Sequence, residues 1–155
     1  MAIKQKEIKS FLSRHRVFAV DTMLFIYHFE DHVRYAPVTD ILFESWEKGT
    51  HTGITSVITL LEILVKPRRE ENWEAVRDYK DLMLTFPNLH VVPLESESSD
   101  LASALRARYG IRTPDAIQVA SALYHSATAF VTNDDGLKQI SELDIVLLDE
   151  FLTRH

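Results

Sequence analysis

Four carboxylates in this chain invite a chemical reading. "VFAVDT" ends an apolar run on Asp21, and "AFVTNDDG" ends another on Asn133, Asp134 and Asp135. A buried strand that stops on an acid delivers that acid to the end of a sheet, although Asn, Asp and Gly also suit a plain turn. Glu62 is set among Val57, Ile58, Leu60, Leu61, Ile63, Leu64 and Val65. Desolvation disfavours the charge of a buried, unpaired carboxylate. Glu62 therefore lies either on a narrow solvent-facing edge of its helix or against a polar cavity. In "RTPDAIQVASAL", Thr113 fits an N-cap, Pro114 the first helical position and Asp115 the first turn, where the helix dipole favours an anion. Singly, each acid has a structural explanation. Brought within a few Å they could not all ionise without a counter-charge. A hard divalent cation with oxygen ligands supplies one; Mg2+ takes one or two carboxylates directly and keeps several waters. Such waters are acidified nucleophiles suited to a phosphodiester, and a second ion would stabilise the leaving oxygen.

The elements that must position these acids follow from hydrophobic pattern. "IKQKEIKSFLSRH" places Ile8, Phe11 and Leu12 at helical spacing, and "VFAV" reads as a strand buried on both faces of a parallel sheet. "TMLFIYHFED" reads as a helix with Thr22 near its start, and "APVTDILFESWEKG" as a second with Ile41, Leu42 and Trp46 on one face and Gly49 at its end. "HTGITS" is a strand, "SVITLLEILVKP" a helix ended by Pro67, and "REENWEAVRDYKDLMLTFP" a helix with Trp73, Val76, Tyr79, Leu82 and Met83 inward. "LHVVPL" is a strand whose Pro93 suits an edge position. "SSDLASALRARYG", with Asp100 as N-cap, and "TPDAIQVASALYHSA" are successive helices; "AFVTN" and "DIVLLD" are strands separated by the short helix "GLKQISEL". Strands alternating with helices predict a parallel sheet with helices on both faces. Sites in such sheets lie beyond the carboxyl ends of the strands, where strand order reverses. Asp21 and Asp134 both stand at carboxyl ends and meet if their strands are neighbours.

Composition narrows the chemistry further. The 155 residues suffice for one domain with a real core. Absence of cysteine excludes disulfides, zinc–thiolate sites and cysteine nucleophiles. No run approaches the roughly 20 apolar residues needed to cross a bilayer. The basic start reads as a helix and not a signal peptide, so a cytoplasmic location is expected. Net charge is −6, from 17 Lys and Arg against 23 Asp and Glu, which argues against a broad nucleic-acid coat. A nuclease with acids concentrated around a metal stays compatible.

The blocks "VFAVDTMLFIYHFE", "ITSVITLLEIL", "IRTPDAIQVASAL" and "FVTNDDGL" resemble, in order and spacing, the four acidic blocks of PIN-domain proteins. The nearest resemblance is to the small VapC-type toxins, and it spans about Val17 to Leu148. It implies a three-layer α/β/α sandwich with a central parallel sheet of about five strands, forming a single nuclease domain over residues 1–155. It further implies an endoribonuclease that uses Mg2+ or Mn2+, acts on RNA, is often a homodimer, and is paired with a small antitoxin protein. By that match Asp21, Glu62, Asp115 and Asp134 hold the metal and activate water. Thr22, Ser56 and Thr132 orient acids or waters. Asp135 is matched less closely, with a turn role as an equal alternative.

Other residues have simpler readings. Arg112 could meet a phosphate or a partner's carboxylate. Lys66, Arg68 and Arg69, and likewise Arg106 and Arg108, are basic clusters that could follow an RNA backbone or simply be solvated. His28 and His32 are spaced i, i+4 without a third ligand. Phe25, Tyr27 and Phe29 read as core or dimer surface and not as base-stacking groups. Two other functions are compatible with acids at strand ends: a receiver-like phosphoacceptor domain, and a PIN-like RNA-binding module that does not cut. Against the first, "DIVLLDEF" offers no lysine after a late strand, and an acid such as Glu62 is foreign to that design.

Overall fold

Every strand runs parallel to its neighbours, as the alternation of strands and helices requires. The computed structural model describes residues 2–154; Met1 and His155, the ends of the span 1–155, lie outside the described residues. The elements are α1 (Gln5–Arg14), β1 (Val17–Val20), α2 (Thr22–Phe29), α3 (Ala36–Glu47), β2 (Thr52–Ser56), α4 (Val57–Arg69) and α5 (Trp73–Thr85). There follow β3 (Leu89–Val92), α6 (Ser96–Tyr109), α7 (Thr113–Tyr124), β4 (Ala129–Thr132) and β5 (Asp144–Leu147), with 3-10 turns at Asp135–Gln139 and Leu148–Phe151. Strand order is β3-β2-β1-β4-β5. The chain leaves β1 towards β2 and β3, then returns to β4 on the other side, so strand order reverses between β1 and β4. Their register sets Val20 beside Val131, and the residues just beyond are Asp21 and Thr132–Asp134.

The sheet is the middle of three layers. Alternate residues of β1 face opposite ways. Phe18 and Val20 join a core with Ile8, Phe11, Leu24, Phe25, Phe43 and Trp46. Ala19 joins the opposite core with Ala116, Ile117 and Ala120 of α7, and Ala102 and Leu105 of α6. The expected α/β/α sandwich with five parallel strands is the fold observed, and Pro93 follows the edge strand β3.

Several local expectations change. Arg112, not Thr113, is the N-cap of α7, which leaves Asp115 in the first turn. Helix α6 begins at Ser96, because Ser98 Oγ accepts from the Glu95 N–H at 2.9 Å and closes the start; Asp100 is interior to the helix. Pro67 does not end α4, which continues to Arg69. The ring is buried, and the Pro67 carbonyl still accepts from Asn72 N–H at 2.8 Å. On α5, Val76 and Met83 are buried, but Trp73 and Leu82 are 59% and 43% exposed. Leu82 stands about 100° round the helix from Met83, and Trp73 opens the first turn. Helix α4 is likewise less buried than its composition suggests. Thr59, Ile63, Leu64 and Pro67 face inward, while Val57, Leu61 and Val65 are exposed.

His28 and His32 have structural partners. His28 Nδ1 is 3.0 Å from Asp40 Oδ1, and His32 Nδ1 accepts from the N–H groups of Arg34 and Tyr35 at 3.2 and 3.3 Å.

Trp46, fully buried on α3, lies directly over Gly53 of β2, and a Cβ on Gly53 would overlap the indole ring. Gly53→Ala is therefore expected to destabilise the protein by about 1–3 kcal/mol through overpacking, read as a lower urea midpoint with an unchanged slope.

Candidate active site

Asp21 is the fixed point of the cleft at the reversal of strand order. Its N–H is bound to the Val131 carbonyl at 2.9 Å, and it N-caps α2 by accepting from Thr22 N–H through Oδ1 at 2.8 Å. Its other oxygen, Oδ2, accepts from the Thr132 hydroxyl at 2.7 Å. The same hydroxyl accepts from Asp134 N–H at 3.1 Å, so one side chain joins the two acid-bearing strand ends. Asp134 in turn caps the 3-10 turn by accepting from Gly136 N–H at 2.9 Å. Glu62 Oε1 accepts from the Thr22 hydroxyl at 3.0 Å. Asp115 Oδ2 lies 3.4 Å from Arg112 Nε.

These four acids line one cleft of about 460 Å3, together with Thr22, Arg112, Gln118 and Asn133. Glu62 is exposed at its edge, which combines the two alternatives left open for it: the outer side of the helix and a polar cavity. Asp135 is exposed in the 3-10 turn and does not line the cleft. Lys66, Arg68, Arg69, Arg106 and Arg108 also stand outside it. Among the described residues Arg112 is the one cationic side chain on the cleft wall, and no lysine lines it.

Electrostatics separate the acids. Burial pushes the Asp21 carboxyl above its ordinary range, the hydrogen bonds from Thr132 and Thr22 pull it back, and the negative charges of Asp115 and Glu62 add to the rise. Burial also raises Asp115; Arg112 opposes this and Asp134 reinforces it. Among the described residues Asp21 has no basic partner in an ion pair. No three His, Asp or Glu side chains among the described residues stand close enough to enclose an ion as they are placed. The donors are all hard carboxylate oxygens spread around the open cleft. That arrangement fits Mg2+, which binds few carboxylates directly and reaches others through water.

The family model of the PIN domain matches residues 18–143. The chain belongs to the PIN domain family. Among curated proteins, none matches the sequence. Solved structures share the PIN fold with this chain. One is a chain of VapBC2 from Rickettsia felis bound to a DNA fragment from its promoter, with TM-score 0.65 and 19% identity over 84% of this chain and 98% of that one. Another belongs to a toxin–antitoxin complex from Klebsiella pneumoniae, with TM-score 0.65 and 19% identity over 84% and 96%. FitAcB from Neisseria gonorrhoeae gives a TM-score of 0.61 and 15% identity over 83% and 96%.

Beneath the cleft of this PIN domain lies a buried polar network of which the sequence pointed to Thr22 and Ser56 but not to Gln118, Thr59 or Thr55. Gln118, one helical turn after Asp115, accepts from Ser56 Oγ at 2.9 Å and donates to Thr59 Oγ1 at 2.7 Å and Thr22 Oγ1 at 3.2 Å. Thr59 also meets Thr55 at 2.6 Å and Thr22 at 3.2 Å. Thus α7, β2, α4 and α2 are tied together by neutral groups directly behind the acids. Spacing was the available signal: Gln118 is i+3 from Asp115 and Thr59 is i−3 from Glu62, so each shares its acid's side of the helix.

Two measurements bear on this arrangement. Gln118→Leu keeps the bulk but leaves Ser56, Thr59 and Thr22 short of partners, and is expected to lower stability by about 1–3 kcal/mol in urea unfolding. Asp21 has the opposite sign. Its folded-state affinity for a proton is raised, so its stabilising contribution is complete below the unfolded value of about 3.9 and is lost as pH rises through the folded value. In chelator at pH 7, Asp21→Asn is expected to raise the melting temperature by about 2–4 °C, with the gain vanishing towards acid pH. A large fall instead would make Asp21 a structural residue.

Proposed function

We propose that this PIN domain is a metal-dependent endoribonuclease that hydrolyses RNA phosphodiester bonds, and that it is the toxin of a toxin–antitoxin pair. The observation carrying this reading is the cleft at the β1/β4 reversal, lined among the described residues by four acids from four separate segments and by one cation. Asp21, Glu62, Asp115 and Asp134 would hold Mg2+ or Mn2+. When bound, such an ion supplies the charge that lets neighbouring carboxylates ionise together and offsets the negative charge developing on a phosphate under attack.

The chain's own residues do the remainder. Thr132 and the Thr22 N–H fix both oxygens of Asp21, and the Thr22 hydroxyl fixes Glu62, so the acids are oriented before substrate arrives. Ser56 acts at one remove, by holding Gln118. Hydrolysis adds water across one P–O bond and releases a proton from that water. A cleft carboxylate is the group placed to accept it. Arg112 stands 81% exposed at the rim, where a guanidinium can meet a phosphate oxygen. Asp135 keeps a turn or outer role.

Fold similarity to VapBC and toxin–antitoxin structures supports a small antitoxin partner, and the family pattern supports a homodimer. No described helix is long and apolar enough to cross a membrane, and a cytoplasmic toxin acting on cellular RNA fits that. A receiver-like role is disfavoured, because no lysine among the described residues lines the cleft.

The test is cleavage of labelled structured and single-stranded RNAs with Mg2+ or Mn2+, with and without chelator. Internal cleavage that chelator abolishes is expected, with Asp21→Asn and Asp115→Asn each slower by at least about a hundred-fold. Cleavage unchanged in Asp21→Asn overturns the mechanism. RNA retention without turnover would make the protein a binding module.

A further inference from the structure

Next to the acids stands a cluster of aromatic side chains that the proposed chemistry does not use. Tyr27 of α2 and Tyr35, just before α3, are stacked, with ring centroids 4.5 Å apart and planes 28° apart. The Arg34 guanidinium lies 5.4 Å from the centre of the Tyr35 ring. The connection that carries them is built rigidly. Asp31 adopts a left-handed conformation (φ 51°) that turns the chain after α2, a conformation Asp tolerates better than most residues. His32 N–H binds the Tyr27 carbonyl at 2.9 Å, and its ring accepts from the N–H groups of Arg34 and Tyr35. Tyr35 Oη and Arg34 both donate to Asp149 Oδ1 at 3.0 Å.

The stack reaches the acids at its Tyr27 end. Tyr27, half-buried, lines the cleft together with Asn133, the residue between Thr132 and Asp134. Asn133 Nδ2 donates to the hydroxyls of Tyr35 at 3.1 Å and Tyr27 at 3.5 Å. Among the described residues no protein group takes the Tyr27 hydroxyl proton or donates to the Asn133 side-chain carbonyl. The cleft wall beside Asp134 therefore offers an aromatic ring, one free donor and one free acceptor. Tyr27 packs against the core, as hydrophobic pattern indicates, and in the fold it also borders the acids.

We propose that Tyr27, backed by Tyr35 and with Asn133 at its edge, is a subsite for one unpaired base of single-stranded RNA, next to the phosphate that is cut. The inference rests on the nuclease reading for the neighbouring phosphate. Its chemistry is that of single-strand recognition: a flat ring accepts the face of an unstacked base, while donor and acceptor groups meet its edge. A base held in a duplex has its faces stacked and its Watson–Crick edge paired, so the subsite selects single-stranded or looped RNA.

The test uses a short single-stranded RNA with one 2-aminopurine, moved along the strand, and the Asp21→Asn protein as the background for binding. One position is expected to be quenched on binding. Adding Tyr27→Leu is expected to abolish that quenching and weaken binding by about ten-fold, whereas Tyr27→Phe keeps the stack and most of the quenching. Melting temperatures of the variants show whether each is folded, and Tyr27→Phe supplies the comparison if Tyr27→Leu is not. Quenching that is independent of Tyr27, or equal binding of a blunt duplex of the same length, overturns the subsite. Cleavage by the wild-type protein is scored separately. Cleavage without Tyr27-dependent quenching removes the subsite alone, and quenching without cleavage removes the nuclease reading and leaves the subsite standing.

Discussion

The arrangement of this molecule depends on a carboxylate that cannot retreat. Asp21 follows directly on the central strand, with its N–H bound to β4 and its carbonyl accepting from Leu24 N–H at 3.1 Å. Its two side-chain oxygens are taken by Thr22 and Thr132. Burial and the nearby acids disfavour its charge, and a surface carboxylate would relieve such repulsion by rotating into water. This one is bound at backbone and side chain alike. Among the described residues Arg112 is the one cation on the cleft wall, and it pairs with Asp115, so Asp21 has no ion-pair partner there.

Neutral groups suit this role better than charged ones. A lysine or arginine against Asp21 would lower its proton affinity and compete with any cation for the same lone pairs. Hydroxyls and an amide fix direction without supplying net charge. Gln118 serves this purpose from α7, and Thr59 and Ser56 from α4 and β2, all of them buried. The close approach of α7 to the sheet depends on its small residues: Ala116 and Ala120 pack with Ala19 of β1 in one core. Small side chains on the core side and polar ones towards the cleft make α7 both packing surface and site wall.

What was legible in the sequence followed from periodicity. Strands β1 and β4 announce themselves as apolar runs, and their terminal acids fall at carboxyl ends for that reason alone. Parallel pairing and the sandwich follow from alternation of element types. Less legible were features that exist only after distant segments meet. Gln118 looks like an ordinary helical glutamine until Ser56, Thr59 and Thr22 are brought to it. Tyr27 has the spacing of a core residue, and only once β4 lies beside β1 does Asn133 come to it, while the turn at Asp31 brings Tyr35 back to stack on its ring. Helix α4 reads as buried because seven apolar residues surround Glu62, yet it covers the sheet with one side only, so Leu61 remains 62% exposed. Composition reports how much a helix could bury; the neighbours decide how much it does.

The core behind the cleft explains why such a site can be carried. Phe18, Phe25, Phe43 and Trp46 are all buried, and the ring centroids of Phe43 and Trp46 are 4.6 Å apart in a stacked pair. These residues lie on β1, α2 and α3, the elements that deliver Asp21 and Tyr27. Burial of large aromatic side chains contributes on the order of 1.5–3 kcal/mol each, enough to outweigh the repulsion among a few partly solvated carboxylates. The stabilising and destabilising groups are thus consecutive in the chain: Phe18, Ala19 and Val20 anchor the strand whose next residue bears the unfavourable charge. Any relaxation that freed Asp21 would have to pull β1 from between β2 and β4, so repulsion at the strand end is opposed by the packing of the whole sheet.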